Sequence, residues 1–179
     1  MSFNLKSSIF KPLFLFLIIA QTLVNLEAKE PTIAILKSIS SNDTQRFQIN
    51  SNSFICEPYG VVSLEKIYAK SKKDSSCRKS IDEFYVKNRK LLYFSQSFLK
   101  LFQGYHIELK NLECVVYAKG QTTLSELLLS EGLAVNKNGF KDREFSSVYE
   151  KVSRTAKRDK KGVWNSSVLK DCASLIVNN

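Results

Sequence analysis

Few residues of this 179-residue chain are of a type and spacing to do chemistry. Its only histidine, His106, has no identifiable triad around it. No Gly-rich phosphate loop is present, and no helix-borne His-Glu pair for zinc. The four cysteines, Cys56, Cys77, Cys114 and Cys172, are too widely spaced for the usual zinc pairs. An even count in an exported chain points instead to two disulfides, with three possible pairings that spacing leaves open. Cys77 lies in a polar stretch and Cys172 in the tail, so the bridges are expected to staple loops. A catalytic thiol is excluded on the same reasoning, since no histidine partners it. Tyr59, Tyr68 and Tyr105 could stack on single-stranded bases, but are read first as core or rim residues.

Charge and targeting bound the remaining choices. Lys6 and Lys11 form a basic region ahead of a short apolar run, residues 12–20, that is too brief to span a membrane. Ala28 suits cleavage, so residues 1–28 read as a secretory signal peptide and residues 29–179 as one mature domain. An uncleaved N-terminal anchor is the alternative. A lipoprotein anchor is disfavoured, because no cysteine follows the run before Cys56. The chain carries a net charge of +10, and without Lys6, Lys11 and Glu27 it still carries +9. That surplus favours acidic partners such as nucleic acid, anionic lipid or envelope polyanions and says little about fold.

The elements that must position these residues follow from periodicity. Residues 32–39 and 45–50 read as strands separated by Ser40-Ser-Asn-Asp-Thr44, whose Asn and Asp favour a tight turn. Residues 54–56 and 61–69 read as further strand, interrupted by Pro58-Tyr-Gly60. A solvated basic loop is expected over 70–79. Beyond it, Ile81, Phe84, Tyr85, Leu91, Leu92, Phe98, Leu99 and Phe102 keep one helical face, with Ser80 as N-cap and Gly104 as stop. Residues 105–118 are rich in aromatic and β-branched residues, as strands are. Thr123-Leu-Ser-Glu126 has the form of a capping box, Gly132 ends that helix, and a last helix runs over 142–161. Its C-terminal cations, Arg154, Lys157, Arg158, Lys160 and Lys161, offset the helix dipole. The order predicts an α+β domain: a five-stranded Greek-key barrel of the oligonucleotide-binding (OB) type with about three packed helices.

Val115-Val-Tyr-Ala-Lys-Gly120, Leu124-Ser-Glu-Leu-Leu-Leu-Ser-Glu-Gly-Leu-Ala134 and the segment from Tyr149 through Ala156 to Gly162-Val-Trp164 resemble the C-terminal half of the staphylococcal nuclease (thermonuclease-like) family. The resemblance implies the same barrel. It also implies phosphodiester hydrolysis through one calcium ion held by carboxylates, a Glu acting on the attacking water, and two arginines on the developing charge. Carried over residue by residue, Ser41-Asn-Asp-Thr44 matches the family's "DGDT" turn and makes Asp43 a calcium-ligand position.

Elsewhere the sequence departs from that pattern. Along Ser63-Leu-Glu-Lys-Ile-Tyr-Ala-Lys-Ser71, Ser63 stands for an arginine, Tyr68 for the second calcium carboxylate, and Lys70 and Ser71 for the Pro-Glu pair. Asn111 stands for the other arginine. Substitutes would have to come from Glu65 and Asp74 as carboxylates and from Lys66, Arg78 and Lys110 as cations. Lysine does not grip phosphate in the bidentate way arginine does, and strand alternation would turn Glu65 away from any site. Asp43, Tyr68, Arg78 and Lys110 are therefore read as binding residues, with no catalytic set, no resident metal and no cofactor. The expectation is an exported, periplasmic or secreted pseudoenzyme with an envelope protein partner. A calcium-dependent nuclease with a rearranged site, or a non-catalytic nucleic-acid binder, is the alternative.

Overall fold

The computed structural model describes residues 32–73 and 75–177, so the expected signal segment lies outside the described residues. Three strands, β1 (Thr32–Ser41), β2 (Thr44–Ile49) and β3 (Asn52–Pro58), form an antiparallel meander. Alternation decides which side faces the core. Ala34 and Leu36 of β1 and Phe47 of β2 are fully buried, while Ile33 and Ile35 are exposed. Two short elements follow: β4 (Val61–Ser63) and α1 (Leu64–Lys70). Beyond α2 (Ser76–Lys87) and a 3-10 segment (Arg89–Ser97), β5 (Gly104–Lys110) joins the free edge of β1, and β6 (Glu113–Lys119) pairs with β5. A parallel pairing of β3 with β6, Glu57 opposite Glu113 and Pro58 opposite Cys114, then closes the sheet. The product is a closed, mixed five-stranded barrel of the OB type, ordered β3-β2-β1-β5-β6, with helices packed around it.

Both disulfides form. Cys56–Cys114 joins β3 to β6 at the closing seam, with 5.5 Å between Cα atoms. It therefore pins the barrel itself, where a loop staple was expected. Cys77–Cys172 fastens the C-terminal tail, which carries α5 (Val168–Asp171) and α6 (Ala173–Val177) in this numbering, to the first turn of α2.

Three local readings are corrected by the structure. The strand expected over 61–69 stops after Ser63, whose Oγ accepts a hydrogen bond from the Lys66 amide (3.0 Å) and so caps α1. The stretch expected as a basic loop already contains the start of α2, capped by Ser75, which accepts from the Arg78 amide at 3.2 Å. Ser80 lies inside that helix and hydrogen-bonds Ser167 and Asp171. The long helix expected beyond residue 80 breaks at Asn88, whose side-chain amide donates back to the Phe84 carbonyl at 2.8 Å. Its apolar stripe divides accordingly: Ile81, Phe84 and Leu99 are buried, and Leu92 and Phe102 are exposed. Gly104 opens β5 and ends no helix.

The C-terminal half follows the sequence closely. After β7 (Thr122–Thr123), Thr123 and Glu126 form both hydrogen bonds of a capping box at the start of α3 (Leu124–Ser130). Gly132 has φ +65°, and a Cβ there would meet the Lys161 carbonyl. Gly162 faces it with φ +52°, where a Cβ would meet the carbonyls of Glu131 and Gly132. Two backbones thus approach too closely for any side chain, and the Val163 amide donates to the Gly132 carbonyl at 3.0 Å. Next to them, β8 (Ala134–Asn136) pairs with β4. The last long helix, α4 (Ser146–Arg158), is shorter than the expected 142–161, because Asp142 accepts from the amides of Glu144 and Phe145 and serves as its lead-in turn. Phe145, Tyr149 and Ala156 bury its inner face. Among the described residues no helix is long and apolar enough to cross a membrane.

Candidate functional site

The β1–β2 turn brings Asn42 and Asp43 under the β4–α1 junction. Asp43 is nearly buried, at 7% exposure. Its Oδ1 accepts from Ser41 Oγ (2.7 Å) and Thr44 Oγ1 (3.1 Å), and its Oδ2 accepts from Ser63 Oγ (2.5 Å). Ser63 is directed by its second role: its oxygen takes the Lys66 amide, so its proton goes to Asp43. Hydroxyl donors, rather than cations, hold this carboxylate in place.

That arrangement bears on calcium. A hard cation requires several oxygen ligands, of which more than one is usually charged. Both Asp43 oxygens are already engaged by hydroxyls, and among the described residues no group of three or more His, Cys, Asp or Glu side chains could hold a metal ion. The residues present do not fit a resident calcium ion.

Glu65 is the second carboxylate, and helical phase overturns the expectation that it faces away. Its Oε1 accepts from Asn42 Nδ2 (2.7 Å) and from the Tyr85 hydroxyl (2.9 Å), while Oε2 is buried with no hydrogen-bond partner. Burial, and after it the negative charge of Asp43, pushes its pKa from 4.5 up to about 7. Burial and the Asp43 charge thus outweigh the hydrogen bonds from Tyr85 and Asn42, which act in the opposite direction.

Asn42 ties this centre together. It is fully buried, and besides Glu65 its Nδ2 reaches the Leu91 carbonyl (2.8 Å), while its Oδ1 accepts from the Ser95 amide (2.9 Å). One side chain thereby fixes α1 and the 3-10 segment against the barrel turn. Beneath it, Gln45 Nε2 donates to the Asn42 carbonyl at 2.9 Å. Gln45 Oε1 and Ser95 Oγ join Glu65 Oε2 as buried polar atoms without a partner.

A cleft of about 720 Å³ opens beside Glu65, walled mainly by Tyr68, Ile81, Tyr85, Val86, Leu92 and Tyr93. Asp82 and Arg89, both exposed, stand at its rim. A smaller hollow of about 210 Å³ on the other side of Glu65 reaches Ser41 and Ser95.

The structure gathers only part of the predicted set. Tyr68 lines the cleft, and the Arg78 guanidinium carbon lies 4.0 Å from the centre of its ring, so these two do meet. Lys110 instead pairs with Glu108 (3.2 Å) and sits over Tyr59 and Phe145, at 5.8 and 5.9 Å from the ring centres. Lys66 is taken by Glu57 at 2.5 Å. Asn111 occupies the β5–β6 turn with φ 59°, and Asp74 lies outside the described residues. Tyr59 donates to Asp142 (2.9 Å), and the Tyr105 hydroxyl accepts from the Lys100 amide (2.6 Å), which gives both structural roles. His106 is exposed on β5 opposite Ile33. Asn42, Tyr85 and Ser95 were read as turn and helix-face residues and not as parts of a site. For Glu65 a signal existed, since Ser63 is a residue type that caps helix starts and acidic residues are enriched in the first turn that follows.

Compared with known proteins, the sequence matches no family model and no curated protein. Fold and site therefore define the class: a disulfide-pinned OB-type barrel whose central polar group is a hydroxyl-held aspartate beside a buried, weakly acidic glutamate.

Proposed function

We propose that this is an exported, thermonuclease-like barrel protein that does not hydrolyse phosphodiesters and acts as a protein-binding or structural module of the cell envelope. The observation that carries this reading is the hydroxyl cradle of Asp43, which engages both of its carboxylate oxygens and brings no second carboxylate to them. Attack on a phosphodiester also requires fixed cations where negative charge develops. Lys66 and Lys110 are engaged by Glu57 and Glu108, and Arg78 lies on Tyr68. Export is supported by the two disulfides, which persist in oxidising compartments, and by the composition of residues 1–28.

One observation favours a second reading, a nuclease with a rearranged site. Glu65 titrates near 7, where a general base would be poised, and it feels the charge of Asp43. The charge of Asp43, the second cause of that shift after burial, argues against this reading, since it repels a phosphate as well. The test is cleavage of single-stranded DNA and RNA by the oxidised protein, with calcium and with chelator. No cleavage by the folded protein is the expected result. Calcium-dependent cleavage that disappears in Asp43→Ala would overturn the reading. Salt sensitivity then separates partners, because polyanion binding falls steeply with salt and an apolar protein interface does not.

A further inference from the structure

We propose that the cleft between α1, α2 and the 3-10 segment is a binding site for a small organic cation: a protonated amine carried on an apolar or aromatic body. Three observations point to that chemistry. The cleft's volume of about 720 Å³ lies within the range of small-molecule sites, and its wall is mostly apolar and aromatic. Glu65, one of the lining residues, keeps one carboxylate oxygen, Oε2, with no partner in the protein, while the other already accepts two hydrogen bonds. A buried acceptor of this kind gains most from a charged donor. Finally, the ring faces of this region take cations, as Arg78 over Tyr68 demonstrates within the chain.

The charges around Glu65 select among ligands of similar shape. Asp43 of the β1–β2 turn adds a second negative charge behind it. From α2, Tyr85 donates its hydroxyl to Glu65, Asp82 stands at the rim and Arg78 covers Tyr68. The 3-10 segment contributes Arg89 to the lining, and Lys66 of α1 is turned to Glu57. The carboxylates of Glu65, Asp43 and Asp82 therefore outnumber Arg89, the one cation among the described residues that line the cleft. A ligand carboxylate or phosphate would meet repulsion there, and a purely apolar ligand would leave Oε2 unpaired. An ammonium on an aromatic stem satisfies both the acceptor and the wall.

This inference is independent of whether the chain hydrolyses nucleic acid, and its test uses none. Phenethylamine would be titrated into the oxidised protein by calorimetry, beside the alcohol and the carboxylic acid of matching shape. Saturable binding of the amine is expected, with the alcohol weaker and the acid weakest. Amine affinity should rise about tenfold between pH 6 and pH 8, as Glu65 ionises while the ammonium stays protonated. Glu65→Gln should lower it at least tenfold at pH 8 and leave the alcohol unchanged. Val86→Arg, at an exposed position on the wall, should block the amine without touching the Asn42 network. Absence of saturable amine binding, equal or tighter binding of the acid, or a folded Glu65→Gln that binds the amine like wild type would each overturn the proposal.

Discussion

Replacing Glu65 by glutamine should make the protein more stable in mild alkali and leave it nearly unchanged in acid. The carboxyl titrates at about 7 in the folded chain against 4.5 when unperturbed, chiefly because it is buried and secondarily because Asp43 is close. Below 4.5 both states hold the proton and Glu65 adds nothing to the pH dependence of stability. Between the two values the unfolded chain releases its proton first, so stability falls as pH rises, and the loss is complete above about 7. A difference of that size corresponds to about 3 kcal/mol. Glutamine keeps an oxygen for Asn42 and Tyr85 and carries no charge. Urea unfolding with both disulfides intact should therefore place Glu65→Gln within about 1 kcal/mol of wild type at pH 5 and about 3 kcal/mol above it at pH 8.5. Parallel pH profiles for the two proteins would refute the account, because they would mean that Glu65 titrates normally.

Other parts of the structure make separate demands. Asn42→Ala removes hydrogen bonds to Glu65, the Leu91 carbonyl and the Ser95 amide at once, and should cost about 3–5 kcal/mol by the same unfolding assay. Gly132→Ala drives a methyl group into the Lys161 carbonyl at a positive φ. It should cost at least about 2 kcal/mol and raise amide exchange at Val163, whose proton bonds the Gly132 carbonyl. Replacing Cys77 and Cys172 by serine opens a closure of 95 residues. That should lower stability by about 2–5 kcal/mol and speed proteolysis of the chain after residue 165 ahead of the barrel.

Where local chemistry decides the structure, the sequence made it legible. The Thr123–Glu126 capping box and the Gly132 stop are complete within a few residues, and both form as read. The strands expected over 32–39 and 45–50 likewise form, as β1 and β2. The stretch after Ser80 failed because its outcome depends on distant partners. Periodicity continued a helix through Asn88, yet Asn88 turns its amide back on Phe84, and Asn42 captures Leu91 and Ser95 from 49 and 53 residues away. Glu65 was misread for a related reason. Its stretch carries strand-like residues, and the pairing of β4 with β8 ends at Ser63, which frees the chain to turn into α1 and rotate Glu65 inward. Of the predicted binding residues, Tyr68 and Arg78 come together, whereas Lys110 is held by Glu108 near Tyr59. Side-chain pairing across a barrel is set by register, which no single segment reveals.

Calcium affinity tests the central claim most directly. Titration of calcium into the oxidised protein at neutral pH, followed by calorimetry, should give only heats of dilution up to millimolar concentration, and Asp43→Ala should give the same trace. Saturable binding that Asp43→Ala abolishes would contradict the account: it would mean that the hydroxyls of Ser41, Thr44 and Ser63 yield Asp43 to a metal.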